Sequence, residues 1–138
     1  MKKQIIGITS GCFDLIHPLH IQYLNKCKRE CDYLLVLLDS DQLICKHKPP
    51  PLFNEDDRKY IIEHLNMVDD VMIFNDLQEF IIIIEDVAKQ HPVRVFKHAG
   101  NIYGQPTVKI KSTELVIISD VQRFSSSTEI KQFIKQKV

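Results

Sequence analysis

Six apolar residues in a row, Tyr33-Leu34-Leu35-Val36-Leu37-Leu38, set the first limit on what this chain can fold into. A strand with one wetted face alternates apolar and polar residues. An unbroken apolar run of this length suits a parallel strand covered on both faces. It ends at Asp39-Ser40-Asp41, which predicts a polar loop at the strand's carboxyl end. Upstream, Lys3-Gln4-Ile5-Ile6-Gly7-Ile8-Thr9 predicts a short buried strand. Ile21, Tyr23, Leu24 and Cys27 have the spacing of a helix face. Strand, helix and parallel strand over this distance form a right-handed crossover unit. Ligands of such sheets bind outside the carboxyl ends of the strands.

The rest of the chain continues the alternation. Lys46-His47-Lys48-Pro49-Pro50-Pro51 predicts an extended, stiff segment, because the prolines exclude regular hydrogen-bonded structure. A proline-rich docking motif is the alternative; a loop is the expectation. Asn54 stands as a helix cap before Glu55, Asp56 and Asp57, acids that suit a helix start. That helix runs through Arg58, Ile61, Ile62 and Leu65, with simple packing as the expected role of most of it. Val71–Phe74 predicts a third strand, and Gln78–Lys89 a helix apolar on more than one side and therefore well buried. Val93–Phe96 predicts a fourth strand, leading into a glycine-containing loop over 97–104. Glu114–Ile118 predicts a fifth strand, and Ser125-Ser126-Ser127-Thr128 opens a last helix with Ile130, Phe133 and Ile134 as apolar positions. The expected fold is α/β, a doubly wound (Rossmann-like) five-stranded parallel sheet with helices on both faces, in a single domain over residues 1–138.

Charge narrows the function classes. Lysine plus arginine equals aspartate plus glutamate at 18 each, which argues against a nucleic-acid coat or a polybasic membrane patch. The apolar run after Met-Lys-Lys is too short for a signal peptide, and no segment approaches a membrane span. A cytoplasmic location is the expectation. Cys27 and Cys31 have the i, i+4 spacing of a metal pair, but no second close Cys or His pair completes a zinc site. Reduced, partly buried thiols are expected for Cys12, Cys27, Cys31 and Cys45.

The chemistry concentrates at Gly11-Cys12-Phe13-Asp14-Leu15-Ile16-His17-Pro18-Leu19-His20, the turn between the first strand and the first helix. Residues at i and i+3 share a helix face, so His17 and His20 point the same way beside the free N–H groups of the first turn. Such a corner suits a phosphate. The hydroxyl run Ser125–Thr128, at the start of the last helix, predicts a second phosphate corner, with helix capping as its plainer role.

In order, these residues resemble the signature of the nucleotidyltransferase (cytidylyltransferase-like) superfamily, Gly-x-Phe-Asp-x-x-His-x-Gly-His. Gly11, Phe13, Asp14, His17 and His20 fall in register, and Leu19 stands where the family has glycine. Lys46 precedes Arg58 at about the family's spacing between a phosphate-binding lysine and the arginine of the next helix. Phe124–Ile130 resembles the family's closing hydroxyl motif. Two branches are most similar. Tyr23-Leu24-Asn25, Asp39-Ser40-Asp41 and the proline-rich loop before Asp57-Arg58 resemble the adenylyltransferase domain of ADP-heptose synthases. The compact length resembles glycerol-3-phosphate cytidylyltransferases, although this chain has no tryptophan for their element after the fourth strand.

The resemblance implies transfer of a nucleotidyl group from ATP or CTP to a phosphorylated acceptor, a sugar 1-phosphate in the first branch and a small polyol phosphate in the second. It implies His17, His20 and Lys46 as catalytic residues, with Lys48 as the rival of Lys46 for the β and γ oxygens. Gly11, Cys12, Phe13, Asp14, Ser126, Ser127 and Thr128 would line the nucleotide. Lys97, Gly100, Asn101 and Tyr103 would meet the acceptor, although Asn101 replaces an acid of the heptose branch. Mg²⁺ is implied, held mostly by substrate oxygens and water. Asp14 has two readings, as an orienter of loop or metal and as a buried structural carboxylate. A homodimer is implied, and a separate kinase domain as partner is compatible with the heptose branch. A third reading, from Leu19 and Asn101, is a catalytically silent nucleotide-binding or interaction protein.

Overall fold

The computed structural model describes residues 2–98, 113–118 and 135–136. Its elements run β1 (Ile6–Gly11), α1 (Pro18–Arg29), β2 (Tyr33–Asp39), α2 (Asp41–Cys45), α3 (Glu55–Glu63), β3 (Asp70–Phe74), α4 (Leu77–Ala88), β4 (Val93–His98) and β5 (Thr113–Ile118). All pairings are parallel, in the order β3-β2-β1-β4-β5. The order reverses between β1 and β4, so the ligand crevice of this topology lies outside their carboxyl ends.

Alternate residues of the central strands feed two apolar layers. Leu34, Val36, Leu38, Phe96 and Ile118 pack with Tyr23, Leu24 and Cys27 of α1 and Ile62 of α3. Ile6, Ile8, Leu35, Leu37 and Val93 pack on the other face with Ile84 of α4. The apolar run of β2 is thus buried on both sides, as its lack of alternation requires.

Four expectations need correction. The first strand is Ile6–Gly11 rather than Lys3–Thr9, because its ladder to β2 starts at Ile6 opposite Tyr33 and runs to Gly11 opposite Leu38. The polar segment after Asp39 is not simply a loop: Ser40 accepts a hydrogen bond from the Leu43 N–H at 3.1 Å and caps the short helix α2. Helix α4 is less buried than its isoleucine density suggests. Ile84 is fully buried, but Ile82 stays 57% exposed, because one helix stripe suffices to cover a sheet. Cys45 is exposed rather than partly buried, at the outer end of α2.

Candidate active site

The signature turn leaves β1 through a backbone kink. Phe13 has φ 48, the left-handed region that costs a residue with a side chain roughly 1–2 kcal/mol. Its ring is buried and lies 5.3 Å from the ring of His20. Gly11 makes room for it, since a Cβ there would sit 2.9 Å from Phe13 Cε2. The buried Thr9 hydroxyl meets the Tyr23 hydroxyl at 2.8 Å and ties α1 to β1.

His17 is the N-cap of α1, Pro18 its first residue and His20 its third. The His17 backbone N–H donates to His20 Nδ1 at 3.3 Å, and the two imidazoles lie tilted by 34° with centroids 3.9 Å apart. Burial, and then the neighbouring His17, push the His20 pKa down to about 4. His20 is therefore neutral near pH 7. With Nδ1 accepting, its proton sits on Nε2, so His20 is a hydrogen-bond donor without a resident charge.

Three further side chains organise the edge. Arg58 is fully buried. Its Nη1 donates to the carbonyls of Cys12 and Asp39, each at 2.8 Å. Its Nε donates to the Phe53 carbonyl at 2.9 Å, and its Nη2 pairs with Asp41 Oδ1 at 2.7 Å. One guanidinium thus joins the ends of β1 and β2 to the loop before α3. Asp14, also buried, accepts from the N–H groups of Leu52 and Phe53, each at 3.1 Å. Cys12 donates its thiol hydrogen to Asp39 Oδ2 at 3.2 Å; burial and the Asp39 carboxylate push the thiol up to about 11. Burial likewise raises the Asp39 carboxyl, against the lowering effects of the Cys12 hydrogen bond and of Lys48 and Arg58.

The structure gathers His17, His20, Gly11, Cys12, Phe13 and Asp14 at one strand-to-helix corner. Lys48 joins them, with Nζ 3.7 Å from Cys12 Sγ. Lys46 is exposed in the turn after α2, and its amine makes no hydrogen bond or ion pair with the described residues. Lys97 lies half-buried near the carboxyl end of β4. Gly100, Asn101, Tyr103, Ser126, Ser127 and Thr128 lie outside the described residues. Leu19 is half-buried and belongs to neither apolar layer.

Two groups escaped the sequence reading. The sequence places Arg58 at the family's spacing from Lys46 but leaves out its bracing role, whose signal lies in the stripe Arg58-Ile61-Ile62-Leu65: an arginine on a buried helix face needs acceptors. His98 ends β4 at the crevice, edge-on to Tyr23 at 5.5 Å, and burial lowers its pKa. Nothing local marked it.

Fold and corner together define a nucleotide-binding α/β protein of the histidine-signature kind, and comparison with known proteins agrees. A family model described as cytidylyltransferase-like matches residues 8–133. The chain belongs to the cytidylyltransferase-like family of nucleotidyltransferases. It is 32% identical over 131 residues to the bifunctional protein HldE of Hyphomonas neptunium, covering 91% of this chain and 26% of that protein. The chain therefore spans about a quarter of the length of that relative. It is also 38% identical over 66 residues to the FAD synthase of Picrophilus torridus, covering 48% of each. Among solved structures, the lipopolysaccharide core biosynthesis protein of Thermoplasma volcanium shares the fold with a TM-score of 0.69 at 22% identity, covering 86% of this chain and 99% of that one. Thermotoga maritima TmcAL, solved with alpha-thio ATP, shares it with a TM-score of 0.66 at 14% identity, over 99% of this chain and 51% of that one.

Proposed function

We propose that this chain transfers an adenylyl group from ATP to a phosphorylated acceptor, most simply a sugar 1-phosphate such as a heptose 1-phosphate, with release of pyrophosphate. The observation that carries the reading is the corner itself: a neutral Nε2–H donor on His20, the capping His17 and the amine of Lys48, on a turn braced by Arg58. An acceptor phosphate is already anionic, so the reaction needs no strong base. It needs alignment of the two phosphates and donors aimed where charge builds on the α-phosphate and leaving pyrophosphate. His17, His20 and Lys46 or Lys48 would supply these, joined by the hydroxyl run Ser126-Ser127-Thr128. Lys97, Gly100, Asn101 and Tyr103 would face the acceptor. Mg²⁺ would ride mainly on phosphate oxygens and water.

ATP and a sugar phosphate are preferred because the HldE match runs along nearly the whole chain and the motifs resemble the heptose branch. A CTP-dependent enzyme acting on a polyol phosphate is the second reading, kept open by the cytidylyltransferase-like family model. A cytoplasmic homodimer, with a kinase domain on another chain supplying the acceptor, completes the proposal. No helix among the described residues is long and apolar enough to cross a membrane. Isothermal titration with ATP and with CTP, each with Mg²⁺, tests the donor. Product formation from ATP and a heptose 1-phosphate, followed by ³¹P NMR, tests the transfer. Binding of CTP alone would promote the second reading. Binding of neither, by folded protein, would leave a silent relative.

A further inference from the structure

The segment between α2 and α3 carries both candidate phosphate lysines, and its two ends are held very differently. At its start, the N–H groups of His47 and Lys48 bond back to the Ile44 carbonyl and continue the turn of α2. At its far end, the Leu52–Phe53 unit is gripped on both edges. Asp14 Oδ2 takes the Leu52 N–H and Oδ1 takes the Phe53 N–H, while Arg58 Nε holds the Phe53 carbonyl. Asp14 and Arg58 are both buried, whereas Leu52 and Phe53 expose their side chains at 60% and 40%. The grip thus acts on backbone, and their side chains add little to it. Between the anchors stand Pro49, Pro50 and Pro51, which convert a fixed end into a fixed direction. Lys48 at the start of this stiff run is laid beside the signature turn, with Nζ at Cys12 Sγ.

We propose that Asp14 is a positioning residue for the polyphosphate: it acts through the Leu52 and Phe53 amides to hold the proline strap, and so Lys48, against the signature turn. This rests on the nucleotidyltransferase reading and deepens it. Asp14 then acts on the phosphates through the strap. Each of its oxygens accepts from a strap amide, and the strap it holds shares the corner with His17 and His20. Replacing it by asparagine sets an NH₂ group against a backbone N–H, so one edge of the grip is lost. The segment frays at its far end, and Lys48 samples positions away from the turn.

The test uses inorganic tripolyphosphate in EDTA, which removes any metal from the measurement. Asp14→Asn should weaken binding roughly tenfold or more, the worth of one charge-assisted hydrogen bond. In a Lys48→Ala background the same change should add nothing, because the two residues act in series. A loss seen only when Mg²⁺ is present would make Asp14 a metal ligand and overturn the proposal. Additive losses would overturn it too. Leu52→Pro is the second variant: it leaves Asp14 intact, removes one of the two strap donors and alters a side chain that is mostly in water. It must weaken metal-free binding in the same direction, and full affinity would refute the grip even if Asp14→Asn fails to fold. The strap itself is read without any ligand by chymotrypsin cleavage after Phe53, at the end that Asp14 holds, which should quicken about tenfold in either variant, following the released fraction. If wild type binds no polyphosphate, the functional reading fails alone. Unchanged cleavage would then still overturn the positioning role.

Discussion

Acid should destabilise this protein through His20, and the sign follows from its surroundings. The ordinary histidine value of 6.5 falls to about 4 in the folded chain, first through burial and then through the facing His17. The unfolded chain therefore binds a proton more readily than the folded one between these two values. Stability is fully present above pH 6.5 and is lost as pH falls toward 4. At about 1.36 kcal/mol per unit, the step from pH 7 to pH 5 removes roughly 2 kcal/mol. His20 keeps part of its ring in water, and solvent screening trims this to about 1 kcal/mol.

His20→Gln isolates the effect. Glutamine at the third helical position can accept the His17 N–H as the imidazole does, in the manner of an ordinary capping box, and it does not titrate. His98, lowered by burial, and Asp39, raised by it, contribute equally to both proteins and cancel in the difference. Urea unfolding followed by circular dichroism at pH 7 and pH 5 should show the wild type losing about 1 kcal/mol more than His20→Gln over that interval. Equal losses would refute a neutral, depressed His20, and with it the assignment of Nε2–H as an uncharged donor.

The same histidine should take up a proton when a polyphosphate arrives, since one negative charge at 4 Å is worth about 4 kcal/mol at an effective dielectric near 20, enough to offset its depression. Calorimetry at pH 6 in buffers of different ionisation enthalpy should show that uptake in wild type and lose it in His20→Gln. Arg58→Ala should cost about 3–5 kcal/mol in urea unfolding, because it strands three carbonyls and the Asp41 charge; Arg58→Lys should recover only part, since an ammonium cannot fork to Cys12, Asp39 and Asp41 together. Gly11→Ala should displace the Phe13 ring and cost about 1–3 kcal/mol, with weaker nucleotide binding by titration. Leu19→Gly should lower stability by about 1 kcal/mol, the helix penalty of glycine, while tightening ATP binding by reopening backbone approach; unchanged affinity would mean Leu19 stands clear of the nucleotide.

How far sequence carried depended on the range of the interaction. The β2 run declared a doubly covered strand because burial on both faces leaves no polar alternation to hide. Asn54 declared the start of α3, and its side chain does accept from the Asp57 N–H at 2.8 Å, a contact three residues long. His17 and His20 are likewise neighbours by helical arithmetic. Helix α2 escaped because five residues leave too little periodicity, and Ser40 is as good a loop residue as a cap. In α4, apolar residues stand on every side, so the pattern could not say which stripe would meet the sheet and which, with Ile82, would stay outside.

The polar framework of the corner lies at longer range still. Arg58 reaches Cys12 across 46 positions and Asp39 across 19, and Asp14 reaches the 52–53 unit across 38 and 39. No spacing rule connects such pairs before the sheet order is known. Once β1 and β2 are paired with Gly11 opposite Leu38, the Cys12 and Asp39 carbonyls leave adjacent strand ends together, and a buried donor must satisfy both. A guanidinium does so from one nitrogen and still has two others for the strap and for Asp41, each fixed in direction by the plane of the group. The signature turn and the lysine strap are thereby referred to the same rigid object. Their relative placement is then a property of the apo protein, set before any phosphate arrives, which is the condition under which donors lower a barrier rather than merely follow charge.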